Sequence, residues 1–367
     1  MSNQICRWGI LSTANIAKKN WHSIALSGNG QVLAVASRDR NKAQQFIEDC
    51  SASVPVPHSV DAMGSYDEML ARDDIDAVYI PLPTAMRKEW VIKAANAGKH
   101  VLAEKPCGVT ADEVKEMIAA CEANHVQFMD GVMFMHSARL PEMRRILDDG
   151  RSIGLIRRIS SQFTFAADDK FLTSNIRVTS QLEPAGCLGD LGWYDIRFIL
   201  WAKNYEMPTE VRGRILEGVT HPGSEHQTPL QFQGEMHFAD GTSATFFSSF
   251  LAANSQWATI SGTDGYLNVN DFVLPYFGNE LAFEVSQHSF DVDVCRFNMA
   301  RKTRHIAVDE YSNNAANAQE VNLFRNFAEL VNSGQPDARW PKMALQTQQI
   351  LDAALTSARN GVEAIKP

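Results

Sequence analysis

Lys105 lies two residues after the apolar run in "HVLAEKP" (100–106), a pattern that predicts a buried strand ending in Glu104, Lys105 and Pro106. Open α/β sheets bind their ligands outside the carboxyl ends of the strands. An ammonium group at this position is therefore placed to contact a cofactor or to assist a proton transfer. The alternative is a surface lysine at the beginning of a loop.

The turn in "GILSTANIA" (9–17) has the spacing of a phosphate-binding turn between a strand and a helix. Against the dinucleotide pattern G-x-G-x-x-G/A it offers Ser12, Ala14 and Ala17, which are small enough for the backbone to approach a pyrophosphate. A positive φ at Ser12 or Ala14 would cost more than at glycine. The residues predicted to line the phosphates are Ser12, Thr13, Ala14, Asn15 and Ile16. An ordinary strand–helix connection is the alternative.

Ser37 and Arg38 follow the next predicted strand, about 25 residues after this turn. In a dinucleotide fold an acid at this place binds the 2′-hydroxyl of NAD, whereas an arginine accommodates the 2′-phosphate of NADP. Serine with arginine predicts NADP, and NAD is possible if Asp39 faces the cofactor instead. The alternative is that Arg38, Asp39 and Arg40 form a solvated charged loop.

Short apolar runs alternate with helical patterns over residues 1–128, which predicts βαβ units and a doubly wound parallel sheet, the Rossmann fold. The predicted strands are 7–11, 31–37, 76–83 and 100–106, and the predicted helices are 15–28, 41–49, 84–98 and 110–124. The first domain is therefore expected to be α/β and to bind NAD(P).

From residue 129 to residue 367, longer runs with two-residue periodicity predict an α+β domain with a large open, mostly antiparallel sheet. The predicted strands are 157–166, 233–250 with a hairpin turn at Asp240-Gly241, and 258–269, and helices are expected at about 185–201, 315–333 and 343–359. We expect one sheet face to carry Phe238 and Phe246. A sheet this large with one open face is a natural place for subunit pairing, so we expect substrate binding and homodimerisation in this domain.

Composition limits the classes of partner. The chain has 367 residues, 45% of them apolar, and a formal net charge of −9 with 34 scattered basic residues, which predicts two packed domains and disfavours nucleic acid and anionic membranes. The start "MSNQICRWGI" lacks a signal-peptide pattern, and no long apolar run predicts a membrane span, so a cytoplasmic location is expected. The six cysteines lack metal-ligand spacing, which predicts reduced thiols and no metal site.

The string "AGKHVLAEKP" (97–106), together with "DAVYIPLPT" (76–84) and the small-residue turn followed by Ser37-Arg38, resembles the Gfo/Idh/MocA family of NAD(P)-dependent oxidoreductases. The likeness resumes at "EPAGCLGDLGWYDIRFILW" (183–201), which is similar to the family's G-G-G-x-L-x-D-x-G-x-Y/H helix. Within the family the chain most resembles the branch of glucose–fructose oxidoreductase, trans-dihydrodiol dehydrogenase and NADP-dependent D-xylose dehydrogenase. The resemblance implies a Rossmann domain paired with an open-sheet domain.

The resemblance also implies that Lys105 and Tyr194 are the catalytic residues. Oxidation of a secondary alcohol or hemiacetal needs a base for the hydroxyl proton while hydride leaves the same carbon. Tyrosine and lysine side chains both have ordinary pKa values near 10, so neither is a good base unaided, but a neighbouring ammonium group lowers the pKa of a phenol. The alternative for Tyr194 is a buried packing residue, because apolar side chains recur around it at helical spacing.

Several other residues are assigned with less specific signals. Asp190 lies one helical turn before Tyr194 and is predicted to orient the site or bind a substrate hydroxyl, while Arg197 could pair with Asp190 or Asp195 on the helix surface. His136 is a substrate-binding candidate or a structural histidine. The residues predicted to flank the cofactor rings are Pro81, Leu82, Pro83, Thr84, Glu104 and Lys105.

The chain departs from the family pattern at Ser12 and Ala14, at Ala185 and Cys187, and at Arg87, where many relatives carry histidine. With these departures the sequence predicts an NADP-preferring dehydrogenase or reductase acting on CH–OH groups of a sugar, polyol or related hydroxyl or carbonyl compound. The alternatives are a trans-dihydrodiol or dicarbonyl oxidoreductase and a non-catalytic nucleotide-binding sensor. Retention of Lys105 and Tyr194 counts against a sensor.

Overall fold

The computed structural model describes residues 4–222, 224, 226–276, 278, 280–312 and 315–367. Its strands are β1 (Cys6–Leu11), β2 (Gly30–Ala36), β3 (Asp61–Met63), β4 (Ala77–Ile80), β5 (His100–Ala103), β6 (Phe128–Asp130), β7 (Ile156–Thr164), β8 (Glu210–Val219), β9 (Thr228–His237), β10 (Ser243–Ser249), β11 (Ser255–Gly262), β12 (Tyr266–Val269), β13 (Leu281–Ser286), β14 (Ser289–Asp293), β15 (Arg296–Ala300) and β16 (Thr303–Val308). Its helices are α1 (Asn15–Leu26), α2 (Arg40–Ser53), α3 (Tyr66–Leu70), α4 (Thr84–Asn96), α5 (Ala111–Ala123), α6 (Arg139–Leu147), α7 (Asp169–Ser174), α8 (Trp193–Ala202), α9 (Gln319–Ser333) and α10 (Arg339–Arg359).

The described chain divides into two compact units, and each is described by itself. Unit 1 comprises residues 4–136, 181–183 and 315–348, and unit 2 comprises the described parts of 137–180, 184–312 and 349–367. The single boundary predicted after residue 128 differs from this division, because the chain returns to unit 1 through α9. Trp8 of β1 explains the return, since its ring packs 5.3 Å from that of Phe324 and 5.1 Å from that of Phe327 on α9.

Unit 1 is a six-stranded parallel sheet with the strand order β3-β2-β1-β4-β5-β6. Every residue of β4 is buried, as expected for a parallel strand covered by helices on both faces. The strand order reverses between β1 and β4, which is the place where such sheets bind ligands at their carboxyl edge. The predicted Rossmann fold is therefore confirmed, and the segments following β1, β4 and β5 lie at the expected binding edge.

Unit 2 is built on an eight-stranded sheet with the order β16-β13-β12-β11-β7-β10-β9-β8. Only β7 and β10 pair in parallel; the other neighbouring strands are antiparallel. The predicted hairpin joins β9 to β10, and Gly241 in its turn has a φ of +83°, which glycine adopts without strain. The predicted single strand 258–269 is wrong: β11 and β12 are antiparallel partners connected through Gly265.

Phe238 and Phe246 lie on the same side of this sheet, as the sequence predicted. Both are buried, at 4% and 1% exposure, on the side covered by α8 and the segment leading into it. Lys203 at the end of α8 lies over the Phe238 ring, and Gly192 just before α8 lies near Phe246. The open face carries the alternate residues of the same strands, such as Phe247 on β10 and Trp257 on β11. Among the residues that the structure describes, no helix has both the length and the apolarity to cross a bilayer.

Candidate active site

The turn after β1 contains no glycine, but one of its residues has the positive φ that glycine usually adopts. Ser12 has a φ of +146°, whereas Ala14 is extended with φ −63° and ψ 148°. The Ser12 Oγ atom accepts a hydrogen bond from the Ala14 amide at 3.1 Å, which holds the turn. A non-glycine residue at such a φ costs about 1–3 kcal/mol. The conformational cost that the sequence analysis considered for Ser12 or Ala14 therefore arises only at Ser12.

The N-terminus of α1 fits a bound pyrophosphate. Its N-cap is Ala14, which has no side-chain capping bond, and the first turn carries no acidic residue. The neighbouring helices α2, α3 and α5 are capped by the side chains of Asp39, Ser65 and Thr110. Amide groups at a helix start favour an anion. The Ala17 amide donates to the Ala14 carbonyl, and no side-chain oxygen stands at the start of α1 in the place of an anion.

Arg38 and Asp39, in the charged loop after β2, have different surroundings. Asp39 is the N-cap of α2, and its carboxylate accepts a hydrogen bond from the Asn41 amide at 2.9 Å. Arg38 is exposed and lies near Tyr66. Burial raises the pKa of the Tyr66 phenol, and the positive charge of Arg38 offsets part of that rise. Ser37 is buried, and its amide donates to the Met63 carbonyl. Asp39 thus caps α2, whereas Arg38 is an exposed basic residue directly after the buried Ser37.

The segment after β4 is held by a carboxylate that the sequence analysis did not single out. Glu183 accepts hydrogen bonds from the Thr84 amide at 2.9 Å and from the Thr84 hydroxyl at 2.5 Å. Arg87, which is buried, donates to the Thr84 hydroxyl at 2.9 Å and to the Pro106 carbonyl. Thr84 is only 2% exposed, so its hydroxyl positions this segment. Arg87, a departure from the family pattern, ties the start of α4 to the residue after Lys105.

A buried hydrogen-bond chain reaches Lys105 from α1 through β4. Asn20 on α1 donates to the Tyr79 hydroxyl at 2.6 Å, and that hydroxyl donates to Glu104 Oε1 at 2.6 Å. The Lys105 amide in turn donates to Glu104 Oε2 at 3.2 Å. Burial and the Glu104 charge raise the pKa of Tyr79 well above its ordinary value, so the phenol stays protonated and keeps donating. The Glu104 carboxylate, which the sequence predicted as a cofactor contact, instead accepts the hydrogen bonds from Tyr79 and from the Lys105 amide. The Lys105–Pro106 peptide bond is cis.

Replacing Tyr79 by phenylalanine should lower the free energy of unfolding by about 1–3 kcal/mol, because Asn20 and Glu104 each lose a buried hydrogen-bond partner. Denaturant unfolding followed by circular dichroism measures the change. Tyr276→Phe is the matched control, since Tyr276 is 56% exposed and its substitution should cost less than about 0.5 kcal/mol. Equal stabilities of the two variants would show that the hydrogen bonds from Asn20 through Tyr79 to Glu104 do not hold the Lys105 segment.

His136 has the surroundings of a structural histidine. Its ring stacks on that of Trp340 with the centroids 4.7 Å apart and an angle of 8° between the planes. Its Nδ1 atom lies 3.0 Å from the amide nitrogen of Asn326. Both partners belong to unit 1, and the histidine itself is buried. These contacts correspond to the structural alternative that the sequence left open.

In unit 2, Tyr194 lies in the first turn of α8, directly after a π-helical turn at Leu188–Gly192. It is 6% exposed, and its ring packs edge-to-face on Phe163 of β7 at a centroid distance of 5.7 Å. The Asp190 carboxylate lies 2.9 Å from the Nε atom of Arg177, a residue that the sequence analysis did not single out. The structure therefore adds Arg177 to the candidate residues near the start of this helix.

The expectation that Arg197 lies on the surface of its helix is wrong. Arg197 and Asp195 are both fully buried. Asp195 accepts a hydrogen bond from the Ser248 hydroxyl at 3.1 Å, and burial raises its pKa well above the ordinary value. The Asp195 side chain therefore contributes to the packing of α8 on the sheet.

Comparisons with known proteins agree with this fold and with the binding edge of unit 1. Residues 6–132 match the model of an oxidoreductase family with an NAD-binding Rossmann fold, and residues 141–268 match the C-terminal domain of the same family. The molecule is thus an oxidoreductase that uses a nicotinamide dinucleotide. The chain belongs to the Gfo/Idh/MocA family.

Similar proteins include two curated relatives and a solved structure. The chain is 29% identical over 268 residues to D-xylose 1-dehydrogenase (NADP(+)) 2 of Haloferax volcanii, covering 72% of this chain and 75% of that one. It is 30% identical over 275 residues to trans-1,2-dihydrobenzene-1,2-diol dehydrogenase of Bos taurus, covering 72% and 74%. A variant of the 3-ketoreductase KijD10 from Actinomadura kijaniata, in complex with TDP-benzene and NADP, has the same fold with a TM-score of 0.80 at 23% identity, covering 96% and 98%.

Proposed function

We propose that this protein is an NADP-preferring dehydrogenase or reductase that interconverts a CH–OH group and a carbonyl group of a sugar or polyol. The observation that carries the proposal is the position of Lys105 two residues after β5, at the carboxyl edge of the Rossmann sheet and on a segment held by Glu104 and Arg87. A sensor that only bound a nucleotide would need neither this lysine nor Tyr194.

The cofactor-binding assignments follow the edge of the sheet. Bound NADP would supply the hydride acceptor, and NADPH the hydride donor, at its nicotinamide ring. Residues 12–16 would bind the pyrophosphate through the start of α1, and Ser37 with Arg38 would bind the 2′-phosphate. Pro81, Leu82 and Pro83 would flank the rings, with Thr84 holding that segment in place through Glu183.

Tyr194 would remove the hydroxyl proton during oxidation and return a proton to the carbonyl oxygen during reduction. The ammonium group of Lys105 would stabilise the phenolate form of Tyr194 and orient the reacting carbon. Asp190, held by Arg177, would accept a hydrogen bond from a substrate hydroxyl. We assign His136 a structural role on the basis of its contacts with Trp340 and Asn326.

Two relatives define the substrates to test first. D-xylose 1-dehydrogenase from Haloferax volcanii supports an aldose, and trans-dihydrobenzenediol dehydrogenase from Bos taurus supports a trans-diol as the second candidate. A neutral polyhydroxylated ring or chain is common to both. We therefore propose an aldose as substrate, with the trans-dihydrodiol activity as the alternative.

Fluorescence titration with NADPH and NADH, followed by assays of aldoses and trans-diols at the nicotinamide absorbance, tests this proposal. We expect tighter binding of NADPH than of NADH and turnover of at least one aldose. Binding of NADPH without turnover of any compound would favour the sensor. Turnover of diols alone would favour the second candidate.

We also propose a cytoplasmic location and a homodimer. None of the six cysteines forms a disulfide; five are buried and Cys295 is exposed, which suits a reducing compartment. Non-reducing electrophoresis of protein from its native cells should therefore show no disulfide-linked species.

A further inference from the structure

The helix α8 has no single apolar face that would determine how it lies on its sheet. All ten of its residues are buried, and all but Asp195 and Arg197 carry apolar or aromatic side chains. In a helix that is apolar all round, hydrophobic packing does not select one rotation about the helix axis. The rotation matters because Tyr194, in the first turn, carries the proposed proton-transfer group. Fixing it therefore depends on the polar side chains.

The π-helical turn Leu188–Gly192 adds to this requirement. It continues directly into Trp193, the first residue of α8. One extra residue in a turn advances the following helix by about 100°, so the rotation of α8 does not follow from the residues before it. Gly192 ends the turn close to β10, where an added Cβ atom would lie 3.1 Å from the Ser248 hydroxyl oxygen. The turn therefore brings the helix onto the sheet at Ser248.

Asp195 bonds to the sheet at this same place. Its carboxyl group accepts a hydrogen bond from the Ser248 hydroxyl at 3.1 Å, and both residues are fully buried. Ser161 on the neighbouring strand β7 lies close enough to lower the pKa of the carboxyl group, although its Oγ atom and Asp195 Oδ1 form no hydrogen bond within the described residues. The acid thus lies over two serines of adjacent strands.

Burial determines the protonation of Asp195. It raises the pKa of the carboxyl group well above its ordinary value, and the two serines offset only part of that rise. A protonated carboxyl group has one hydroxyl donor and keeps acceptor oxygens. Asp195 can therefore accept a hydrogen bond from Ser248 and direct its own proton toward Ser161, which leaves no charge in the apolar surroundings.

A buried acid is an unfavourable choice if stability is the only requirement, because an apolar side chain of similar volume often packs as well or better. Single buried polar residues do fix register, as an asparagine does in a coiled coil. Arg197, the other charged residue of α8, lies two positions further on and about 200° round the helix, so it cannot replace Asp195 at Ser248. Its guanidinium carbon lies 5.9 Å from the Trp193 ring.

Tyr194 depends on this anchor because it directly precedes Asp195. Its ring packs on Phe163 of β7, and Phe163 is the cross-strand partner of Ser248 on β10. Ser161 lies two residues before Phe163, on the same face of β7. The adjacent phenol and carboxyl side chains thus contact one patch of the sheet. A rotation of α8 that broke the Asp195–Ser248 bond would also move the Tyr194 ring away from Phe163.

We propose that Asp195 is a positioning residue for the reaction: its hydrogen bond to Ser248 sets the rotation of α8 and thereby the place of the Tyr194 hydroxyl group. This role rests on the proposed function, in which Tyr194 transfers the substrate proton. Asp195 acts through Tyr194 and is assigned no contact with the substrate. An apolar replacement should therefore preserve the stability of the fold without preserving the position of the phenol.

The combination of Asp195→Leu and Ser248→Ala separates stability from positioning. Leucine has nearly the shape of aspartate, and removing both partners of the hydrogen bond leaves neither unpaired, so the denaturant midpoint should be no lower than that of the wild type. We expect kcat to fall at least about tenfold, because a displacement of 1 Å can cost about 100-fold, while NADPH affinity changes less than about threefold. An apolar pair with wild-type kcat would overturn the proposal.

Asp195→Asn is the conservative variant. Its amide has the shape of a protonated carboxyl group and can accept from Ser248 and donate to Ser161, so kcat should stay within about threefold of the wild type. Ser160→Ala, a serine substitution on the opposite face of β7, should change kcat less than about twofold and is the matched control for Ser248→Ala. A kcat as low in Asp195→Asn as in the apolar double variant would overturn the proposal.

Fluorine NMR of protein labelled with fluorotyrosine locates the Tyr194 ring without an activity measurement. The Tyr194 resonance is assigned by its loss in Tyr194→Phe. It should shift in the apolar double variant and stay in place in Asp195→Asn. An unmoved resonance in the double variant would overturn the positioning role even if kcat fell. If Tyr194→Phe kept full activity, the proposed proton transfer would fail by itself, and the resonance would still show whether Asp195 positions the ring.

Discussion

Replacing Tyr194 by phenylalanine is expected to lower kcat on the best substrate by about 10²- to 10⁴-fold, the usual contribution of a positioned acid or base. The substitution removes the phenolic oxygen and keeps the ring that packs on Phe163. NADPH affinity should change less than about threefold, because the proposed role of Tyr194 concerns the substrate proton. Steady-state kinetics and fluorescence titration measure the two quantities.

Phe163→Leu separates proton transfer from packing in this prediction. It removes the aromatic partner of Tyr194 but leaves the hydroxyl group, so kcat should fall less than about tenfold. If Phe163→Leu reduced kcat as much as Tyr194→Phe, Tyr194 would act through packing. If Tyr194→Phe kept full activity, the proposed acid/base role would be wrong.

Replacing Arg38 by alanine is expected to weaken NADPH binding by about 100-fold while NADH binding changes less than about threefold. The loss corresponds to charge-assisted hydrogen bonds to the 2′-phosphate, which contribute about 1.5–3 kcal/mol. NADH has no such phosphate. Because Asp39 already caps α2, its carboxylate is not expected to take over the ribose.

Arg40→Ala is the matched control for this loop, since Arg40 is also exposed and begins α2. We expect it to leave both cofactor affinities within about threefold of the wild type. Titrations of NADPH and NADH with all three proteins give the comparison. Equal losses for both cofactors in Arg38→Ala would contradict the phosphate assignment and favour the solvated-loop alternative.

The features that the sequence predicted are those with local signals. Alternating apolar runs and helical patterns predicted the Rossmann sheet, and the Asp240-Gly241 pair predicted a hairpin that the structure confirms. The turn at Ser12 could be aligned with the dinucleotide pattern because its side chains are small. Lys105 could be placed at the binding edge because an apolar strand precedes it.

The features that the sequence missed depend on contacts between distant residues. Glu183 lies 99 positions from Thr84, and Asn20 lies 59 positions from Tyr79, so no spacing in the chain connects them. The return of α9 to unit 1 depends on its packing against Trp8. The strand pair β14 and β15 was missed because its turn contains Val294 at a φ of +52° instead of a glycine or asparagine.

A double-mutant cycle on kcat tests most directly the claim that Lys105 and Tyr194 act on the same proton. The variants are Lys105→Met, Tyr194→Phe and the combination, assayed with the best substrate under saturating NADP for oxidation of an alcohol or saturating NADPH for reduction of a carbonyl. Residues that act as a unit are non-additive, so the double variant should lose no more than about tenfold beyond the worse single variant. A loss in the double variant equal to the product of the two single losses would contradict the account.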